Sequence, residues 1–406
     1  MATRTIIIVE GQSNFLLFLQ SAKRMGLHTI VLTADPEKYE YAAAEGFDGI
    51  LIDTDNLDAL INECSRLRAA YDIAGITSAT EAFYATAAKL CRYFRLPGPN
   101  PDSIERCLDK FVQRQLLAAA GAPIPAYRLA VNATEVERSA AEIGLPVILK
   151  PTVGSGSAGV RLCRSADELA EHTTYLLGRH VWKRSPRILV EEFAQGPHYT
   201  VDIMGDEVIG IGVLNFGQPP HFVYRELTYP AVLTDDERDV IADISRSCLR
   251  ATGLGWGPTN IELRWTKRGP VVIEVNPRLT GSPAPELVQL AYGVNLVTEH
   301  IKLVIGDQWN LRRSHSATAA VRFLVPERDG TLDWIHGDRQ AAALPGVAEV
   351  KLCVEPKEPM VRKEDYRDRI GYVIVTSPSH AQTETTLQRA VSLIEWSITP
   401  FSSLGE

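Results

Sequence analysis

The chain has 406 residues, of which 45% are hydrophobic and 23% charged, the composition of an ordinary globular protein. This length exceeds what one ordinary hydrophobic core can organise, so we expect two or three domains. The net charge of −8, without a compensating basic run, argues against nucleic acid or an anionic membrane as the main partner.

The N-terminus and the cysteines bear on the cellular compartment. The first apolar run covers only residues 6–9 and ends at Glu10, which predicts a buried strand, not a signal peptide or a membrane span. Six cysteines are scattered without a CxxC pair, so we expect reduced thiols and no structural zinc site. These features predict a cytoplasmic protein.

Residues 1–100 alternate between short apolar strands and amphipathic helices. Strands are predicted at residues 5–9, 28–32, 49–52 and 73–77, with helices at residues 15–25, 57–71 and 82–93. This alternation predicts a parallel sheet with helices on both faces.

Two turns of this domain bear on ligand binding. The first, residues 10–14, lacks the GxGxxG fingerprint and so argues against a dinucleotide-binding dehydrogenase. Glu81 follows the strand at residues 73–77. It either complements the N-terminus of the next helix or contacts a ligand at the carboxyl edge of the sheet.

A proline-rich break at residues 96–101 precedes a second domain with a glycine-rich loop. The helices at residues 101–108 and 111–120 lead to a buried strand that ends in Lys150, and glycines 154, 156 and 159 follow among small hydroxyl residues. Backbone N–H groups of such a loop can wrap phosphate oxygens. The loop lacks the GxxxxGKS pattern, which excludes a P-loop. The preceding lysine favours phosphate binding over a plain hairpin turn.

Residues 259–275 predict a β-hairpin that carries two carboxylates. A three-residue loop at residues 267–269 places Glu262 opposite Glu274, with Asn276 and Arg278 on the same face. Two facing carboxylates repel each other unless a cation lies between them, and Mg²⁺ prefers such oxygen ligands together with phosphates. The alternative is a solvent-exposed hairpin with ordinary surface charges.

The remaining chain contributes a polar cluster and a third domain. Arg225, Glu226 and Tyr229 belong either to an ordinary loop surface or to a site that reads the amino or carboxylate group of an amino acid. Antiparallel strands at residues 319–325, 349–354 and 372–376 and a closing helix at residues 383–396 predict a smaller α+β domain.

Five elements in this order resemble the ATP-grasp superfamily over nearly the whole chain. They are Lys110, then Lys150 with the glycine-rich loop, then Glu191-Glu192-Phe193-Ala194, then Glu262, then Glu274-Val275-Asn276-Pro277-Arg278. Residues 280–282, 291–296 and 368–374 resemble in particular the L-amino-acid ligases and related carboxylate–amine ligases.

The resemblance implies an α/β and α+β architecture with an ATP-grasp fold. An N-terminal parallel βαβ domain (residues 1–100) would precede the ATP-grasp domain (residues 101–310), and a C-terminal lid-like α+β domain (residues 311–406) would follow. The ATP-grasp domain would divide into a nucleotide lobe at about residues 101–190 and a metal and substrate lobe at about residues 191–310.

The resemblance also implies roles for individual residues in ATP and metal binding. Lys110 and Lys150 would hold the phosphates, and backbone groups of Glu192 and Ala194 would pair with the edge of adenine. His198 stands where many relatives place a ribose-binding glutamate, a departure that leaves the ribose contact open. The loop over the phosphates would comprise Ser155, Gly156, Ser157, Ala158 and Gly159. Two Mg²⁺ ions, with Mn²⁺ as a substitute, would be held by Glu262, Glu274 and Asn276.

The implied reaction activates a carboxylate. Arg278, acting with Lys150, would stabilise the transferring phosphoryl group, and Arg278 with Gly281 and Ser282 would clamp the substrate carboxylate. We expect an acyl phosphate that an amine attacks, which gives an amide or peptide bond from small-molecule substrates, one of them an amino acid. We expect a homo-oligomer, a dimer. The alternatives are a carboxylase that activates bicarbonate or formate, and a non-catalytic ATP-binding regulatory protein.

Overall fold

The computed structural model describes residues 3–12, 14–178 and 187–401. Ser13, in the predicted first turn, lies outside the described residues. Among the described residues, no helix is both long enough and apolar enough to cross a bilayer.

The N-terminal domain is a four-stranded parallel sheet, as predicted. Its elements are β1 (Arg4–Gly11), α1 (Phe15–Arg24), β2 (His28–Thr33), a 3₁₀ helix (Pro36–Glu45), β3 (Asp48–Leu51), α2 (Leu57–Arg68), β4 (Asp72–Ala79) and α3 (Glu81–Phe94). The strand order is β3-β2-β1-β4. Ile6 and Ile8 enter one core with α1, while Ile7 and Val9 enter a second core with α2 and α3. Burial on both faces therefore explains the uninterrupted apolar run in β1.

A second layer carries the glycine-rich loop. Its elements are α4 (Pro101–Leu108), α5 (Lys110–Ala119), β5 (Tyr127–Ala130), α6 (Ala133–Ile143), β6 (Val147–Pro151), β7 (Arg161–Cys163), α7 (Ala166–Gly178) and β8 (Ile188–Glu192). The strands form an antiparallel sheet in the order β5-β8-β6-β7, with the glycine-rich loop between β6 and β7. Because Ile148 lies opposite Glu191, the side chains of Lys150 and Glu191 share one face.

The rest of the chain builds one large antiparallel sheet and a small one. Its elements are β9 (His198–Met204), β10 (Glu207–Phe216), β11 (Tyr224–Tyr229), α8 (Asp235–Thr252), β12 (Pro258–Thr266), β13 (Gly269–Asn276), α9 (Ala284–Tyr292), α10 (Leu296–Val304), β14 (Thr318–Leu324), β15 (Gly330–His336), α11 (Asp338–Ala342), β16 (Val347–Leu352), β17 (Pro359–Met360), a 3₁₀ turn (Tyr366–Asp368), β18 (Gly371–Ser377), α12 (His380–Ser392) and β19 (Glu395–Thr399). The large sheet has the order β13-β12-β9-β10-β11-β14-β18-β16, and the small one β17-β15-β19. Because β11 pairs with β14, the large sheet continues across the predicted boundary at residue 310.

The closing helix differs from its prediction. It ends at Ser392 instead of continuing to residue 396, and Trp396 lies in β19 opposite Ile335 of β15. Pairing with a strand distant in sequence therefore overrides the local helical pattern, as tertiary context often does.

His300 of α10 joins the N-terminal domain to the following domain. It is fully buried, and its Nε2 lies 3.1 Å from Thr77 Oγ1 and 3.2 Å from Tyr84 Oη. Burial lowers the pKa of His300 to about 3. His300 therefore stays neutral in the folded protein at mildly acidic pH, where the same histidine in the unfolded chain is already protonated.

We expect acid to weaken the fold through this residue. Below the unfolded-state pKa of about 6.5, the unfolded chain binds a proton that folded His300 refuses, so the free energy of unfolding should fall by up to about 1.4 kcal/mol per pH unit. Urea titrations between pH 7 and pH 4 should give a shallower slope for His300→Gln than for the wild type. The exposed His336 supplies the control His336→Gln. Equal slopes for all three proteins would contradict the assignment.

Candidate functional site

Two adjoining cavities lie between the domains. The first, of about 110 Å³, lies between the glycine-rich loop, residues 191–194 and the β12–β13 hairpin, with apolar walls that include Ile148 and Phe222. The second, of about 210 Å³, is enclosed by the N-terminal domain, the hairpin, residues 278–282 and part of the C-terminal region. The two share a boundary formed by Ser155, Gly156, Ser157, Phe216, Glu262 and Glu274.

The hairpin carries its two glutamates at this shared boundary. Glu262 pairs directly with Glu274, as predicted, and their side chains are 27% and 19% exposed. The predicted three-residue loop is wrong, because Thr266 pairs with Gly269 and leaves a two-residue turn. A β-bulge at Ile273 inserts one extra residue, and this restores the register that brings the glutamates together.

Lys110 connects the hairpin to the glycine-rich loop. Its Nζ lies 2.7 Å from Glu274 Oε1 and donates to the carbonyl oxygen of Gly154 at 2.5 Å. Burial alone would raise the pKa of Glu274, but Lys110, Lys150 and Arg278 lower it to about 2. Glu274 is therefore an anion throughout the neutral range and holds positive charge around it.

A second buried ion cluster lies behind the first cavity. Arg114 Nε donates to Glu191 Oε1 at 2.6 Å, and Lys150 Nζ lies 2.5 Å from Glu191 Oε2. Burial raises the pKa of Glu191, but the two cations outweigh burial and lower it. Arg114 also donates to the carbonyl oxygen of the bulged Ile273. Glu191 was predicted only as part of the ATP-binding segment, whereas its side chain links Lys150 to Arg114, which contacts the hairpin.

Arg114 was not among the predicted site residues, although the pattern of helix α5 indicated a polar network. The buried face of α5 carries Lys110, Gln113, Arg114 and Leu117, so three polar residues occupy positions where an amphipathic helix normally has apolar ones. Gln113 also exchanges two hydrogen bonds with the backbone of Val275. Polar residues on the apolar stripe of a helix thus indicated a buried polar network.

Replacing Arg114 with methionine should destabilise the protein by about 3 kcal/mol or more, because a buried carboxylate and a carbonyl then lose their shared partner. Chemical denaturation measures the change. The matched control is Arg128→Met, which removes a surface pair with Glu142 and should cost less than about 1 kcal/mol. Similar losses in both variants would show that the Arg114 cluster is energetically ordinary.

His198 contacts a predicted metal ligand. Its Nε2 lies 3.0 Å from Glu262 Oε2, and Arg264 Nε donates to its Nδ1 at 3.3 Å. Because an arginine can only donate, Nδ1 accepts, and the proton resides on Nε2, which donates to Glu262. Burial lowers the pKa of His198, which favours this neutral form. His198 lines the first cavity and also orients Glu262.

Two backbone groups of the segment at residues 191–194 are already hydrogen-bonded within the protein. The backbone N–H of Glu192 already donates to the carbonyl oxygen of Ala126 at 2.9 Å, and the carbonyl oxygen of Ala194 accepts from Arg264 at 3.3 Å. The guanidinium of Arg264 lies over the rings of Phe193 and Phe222. These rings, with Ile148, give the first cavity the flat apolar walls that an aromatic base requires.

Arg278 is placed on the opposite side of the shared boundary. Its Nε donates to Glu81 Oε2 at 2.7 Å, and both residues line the second cavity with Gly281 and Ser282. Burial lowers the pKa of Arg278, but Glu81 and the hairpin glutamates outweigh burial and raise it. A permanent cation therefore lies where the hairpin meets the second cavity.

Several predicted contacts lie elsewhere. Tyr229 is fully buried and donates its hydroxyl to Asp202, while Glu226 pairs with Arg322. Arg225 donates to Val325 and lines a separate cavity. The structure thus does not bring these three predicted substrate contacts to either of the two adjoining cavities. Of the predicted phosphate loop, residues 155–158 line the first cavity and Gly159 does not.

The C-terminal domain was predicted to be lid-like, but none of its residues was predicted to belong to the site. The backbone N–H of Tyr366 donates to Gly156, and a Cβ on Gly156 would lie only 2.3 Å from the Tyr366 ring. Only glycine permits this approach, and its φ of +64° also favours glycine. Tyr366 and Arg369 both reach the second cavity. The C-terminal region therefore packs on the glycine-rich loop and completes the cavity.

The donor set fits Mg²⁺ bound together with phosphates. Among the described residues, no three histidine, cysteine or acidic side chains form a metal-binding cluster. Two carboxylates, those of Glu262 and Glu274, line both cavities. Mg²⁺ is typically bound by one or two carboxylates plus substrate phosphates and water. Glu262 and Glu274 meet this requirement. Asn276, the third predicted ligand, is only 2% exposed and donates to Asn260. Asn260, and not Asn276, lines the second cavity.

Three family models match successive parts of the chain. The model of the ATP-grasp N-terminal domain matches residues 19–98. The model of the ATP-binding domain of the carbamoyl-phosphate synthase L chain matches residues 109–312, half of the chain. The model of the L-amino acid ligase C-terminal domain 2 matches residues 322–399.

Individual proteins give a consistent result. An uncharacterized protein, y4rH, of Sinorhizobium fredii is 59% identical over 100% of this chain and 85% of its own length. Carnosine synthase 1 of Mus musculus is 26% identical over 86% of this chain, which spans only 47% of that protein. The crystal structure of an L-amino acid ligase from Bacillus licheniformis superposes with a TM-score of 0.82 at 18% identity, over 98% of this chain and 100% of that one. The fold is therefore shared across this wide sequence distance.

Proposed function

Since this chain belongs to the ATP-grasp superfamily, we propose that it is an ATP-dependent ligase that joins the carboxylate of an amino acid to an amine. One observation carries the proposal: a slot suited to a nucleotide and a separate polar cavity meet at Glu262, Glu274 and the glycine-rich loop. A phosphoryl group that crosses this boundary passes from one ligand to the other. The products would be ADP, phosphate and an amide or peptide bond.

The first cavity would hold ATP. The apolar slot beside Phe193 and Phe222 suits adenine, and the loop at residues 155–158 with Lys110 and Lys150 suits the phosphates. Glu262 and Glu274 would hold Mg²⁺, with Asn276 behind them, and the metal would offset negative charge on the phosphate oxygens.

The second cavity would hold the carboxylate that is activated. A carboxylate oxygen attacks the γ-phosphorus of ATP, ADP leaves, and the acyl phosphate then loses phosphate when the amine attacks its carbonyl carbon. Such a transfer requires alignment and positive charge more than covalent assistance. Arg278 supplies a fixed cation on the acceptor side, and Lys150 supplies one on the nucleotide side.

The surrounding residues would protect the acyl phosphate from water. Tyr366 packs on Gly156, so the C-terminal region covers the loop that lies over the phosphates. Glu81 pairs with Arg278 and could also attract the ammonium group of an amino acid. Exclusion of water strengthens these interactions and prevents hydrolysis of the intermediate.

A phosphate-release screen tests the proposal. The protein is incubated with ATP, Mg²⁺ and every pair of amino acids, and separately with bicarbonate or formate. Release that depends on a pair of amino acids, with the matching dipeptide detected by mass spectrometry, is the expected result. Release with bicarbonate or formate alone would instead identify a carboxylating enzyme, and ATP binding without any release would identify a regulatory protein.

A further inference from the structure

The second cavity contains a cation that the proposed chemistry does not use. Arg369, which follows the 3₁₀ turn before β18, lines this cavity. Within residues 3–12, 14–178 and 187–401 its guanidinium forms no ion pair, and its Nε is shielded from solvent without a hydrogen-bond partner. Neighbouring Arg367, in contrast, is paired with Asp365. A partly buried charge without an anionic partner is costly, so its retention points to a ligand.

Aromatic rings fix the position of this arginine. Its guanidinium lies 3.8 Å from the ring centroid of Phe323 and 4.9 Å from that of Tyr224. Stacking on two rings holds the planar group in place while leaving its N–H groups free to donate. Burial lowers the pKa of Arg369 to about 10, which still leaves it charged at neutral pH.

Other polar atoms of the same cavity also lack partners. The hydroxyl of Tyr224 and the Oδ1 of Asn14 are buried and have no hydrogen-bond partner in the part of the chain that the structure describes, and both residues line the cavity. Buried polar atoms are nearly always satisfied in native proteins. Three such atoms around one cavity indicate a polar ligand with an anionic group near Arg369 and Tyr224.

We propose that Arg369 and Tyr224 bind the carboxylate of the amino acid that donates its amine, the carboxylate that does not react. This inference rests on the proposed ligase function and specifies its second substrate as an α-amino acid and not a simple amine. The guanidinium donates to the carboxylate oxygens, the tyrosine hydroxyl donates to one of them, and the amine points toward the acyl phosphate.

Arg278 and Arg369 lie at different places in the second cavity. Each would therefore bind a different carboxylate, the one that is activated or the one that does not react. Arg278 directly follows the hairpin, and its charge interacts with Glu81, Glu262 and Glu274, which places it at the phosphoryl-transfer boundary. Arg369 comes from the C-terminal region and interacts with aromatic rings instead. A ligase for two amino acids must activate one carboxylate and spare the other. A separate anchor for the second carboxylate achieves this discrimination.

The test uses the amino acid pair found in the release screen, with the order of the product established by mass spectrometry. Arg369→Met should raise the KM for the amine-donating amino acid at least about tenfold, the loss expected when a charged hydrogen bond is removed, with the KM for ATP unchanged. Arg369→Lys should recover part of the loss. Tyr224→Phe should give a smaller increase, because it removes only the hydroxyl.

Substrate analogues provide the decisive comparison. The carboxamide of the amine donor lacks the anionic group, so the wild type should use it poorly and Arg369→Met should use it no worse than the wild type does. Arg362→Met removes an exposed arginine of the same segment, which pairs with Asp329, and serves as the control.

Three results would overturn the inference. One is an Arg369→Met variant that still prefers the amino acid to its carboxamide. Another is an increase in KM for the activated partner instead of the amine donor. The third is an equal loss toward ATP and both substrates. If none of the amino acid pairs stimulates phosphate release by the wild type, the ligase function itself is overturned, and this inference with it.

Discussion

Replacing Glu274 with glutamine should lower kcat by at least about 10²–10³-fold, the loss typical of a group that organises charge at a transferring centre. The substitution keeps the shape of the side chain but removes the charge that pairs with Lys110 Nζ at 2.7 Å. Lys110 also holds Gly154 at the start of the glycine-rich loop, so the loop and the Mg²⁺ site would both lose an anchor.

A folded and inactive variant is required for this interpretation. Circular dichroism and nucleotide binding report whether Glu274→Gln is folded, since loss of a partner from a buried pair also destabilises. Glu142→Gln, which removes an exposed carboxylate that pairs with Arg128, is the control and should retain full activity. Near-normal turnover and unchanged Mg²⁺ dependence in Glu274→Gln would refute the proposed role of Glu274.

The second large effect is expected at Arg278. Arg278→Met should reduce kcat by about 10²–10³-fold while the KM for ATP changes little, because Arg278 lines the second cavity and not the first, which is the proposed ATP site. The variant leaves Glu81 without its partner at 2.7 Å, so binding of the activated carboxylate should weaken as well.

Steady-state kinetics with the substrates varied separately tests this expectation. The kcat of Arg278→Lys should lie between those of Arg278→Met and the wild type, because lysine keeps the charge but not the planar, forked guanidinium. Arg246→Met removes a helix-surface arginine paired with Asp243 and should behave as the wild type does. An Arg278→Met enzyme with a raised KM for ATP and an unchanged kcat would place Arg278 with the nucleotide instead.

Sequence reasoning predicted the parts of the site that depend on short-range patterns. Strand alternation placed Glu262 opposite Glu274, and the loop composition predicted the glycine-rich segment that lines the first cavity. The resemblance to the ATP-grasp superfamily is confirmed by the family models and by the shared fold. The predicted turn was wrong by one residue, and the β-bulge at Ile273 compensates for this error. Arg114 donates a hydrogen bond to the bulged carbonyl and stabilises it.

Long-range contacts were beyond the sequence. Arg114 and Glu191 are 77 residues apart, and no local pattern indicates that they meet. The same holds for Arg369, which reaches the second cavity because β18 lies beside β14 in the large sheet. Arg225, Glu226 and Tyr229 lie together in β11. Their partners elsewhere are Val325 for Arg225, Arg322 for Glu226 and buried Asp202 for Tyr229, and strand periodicity alone does not indicate these partners.

Transfer of oxygen from substrate to phosphate tests the central claim most directly. The activated amino acid is labelled with ¹⁸O in its carboxylate and incubated with ATP, Mg²⁺ and the amine donor, and the inorganic phosphate is examined by mass spectrometry. Passage through an acyl phosphate predicts that one labelled oxygen appears in the phosphate for each amide bond formed. Product formation with unlabelled phosphate, or with the label in AMP, would contradict the account.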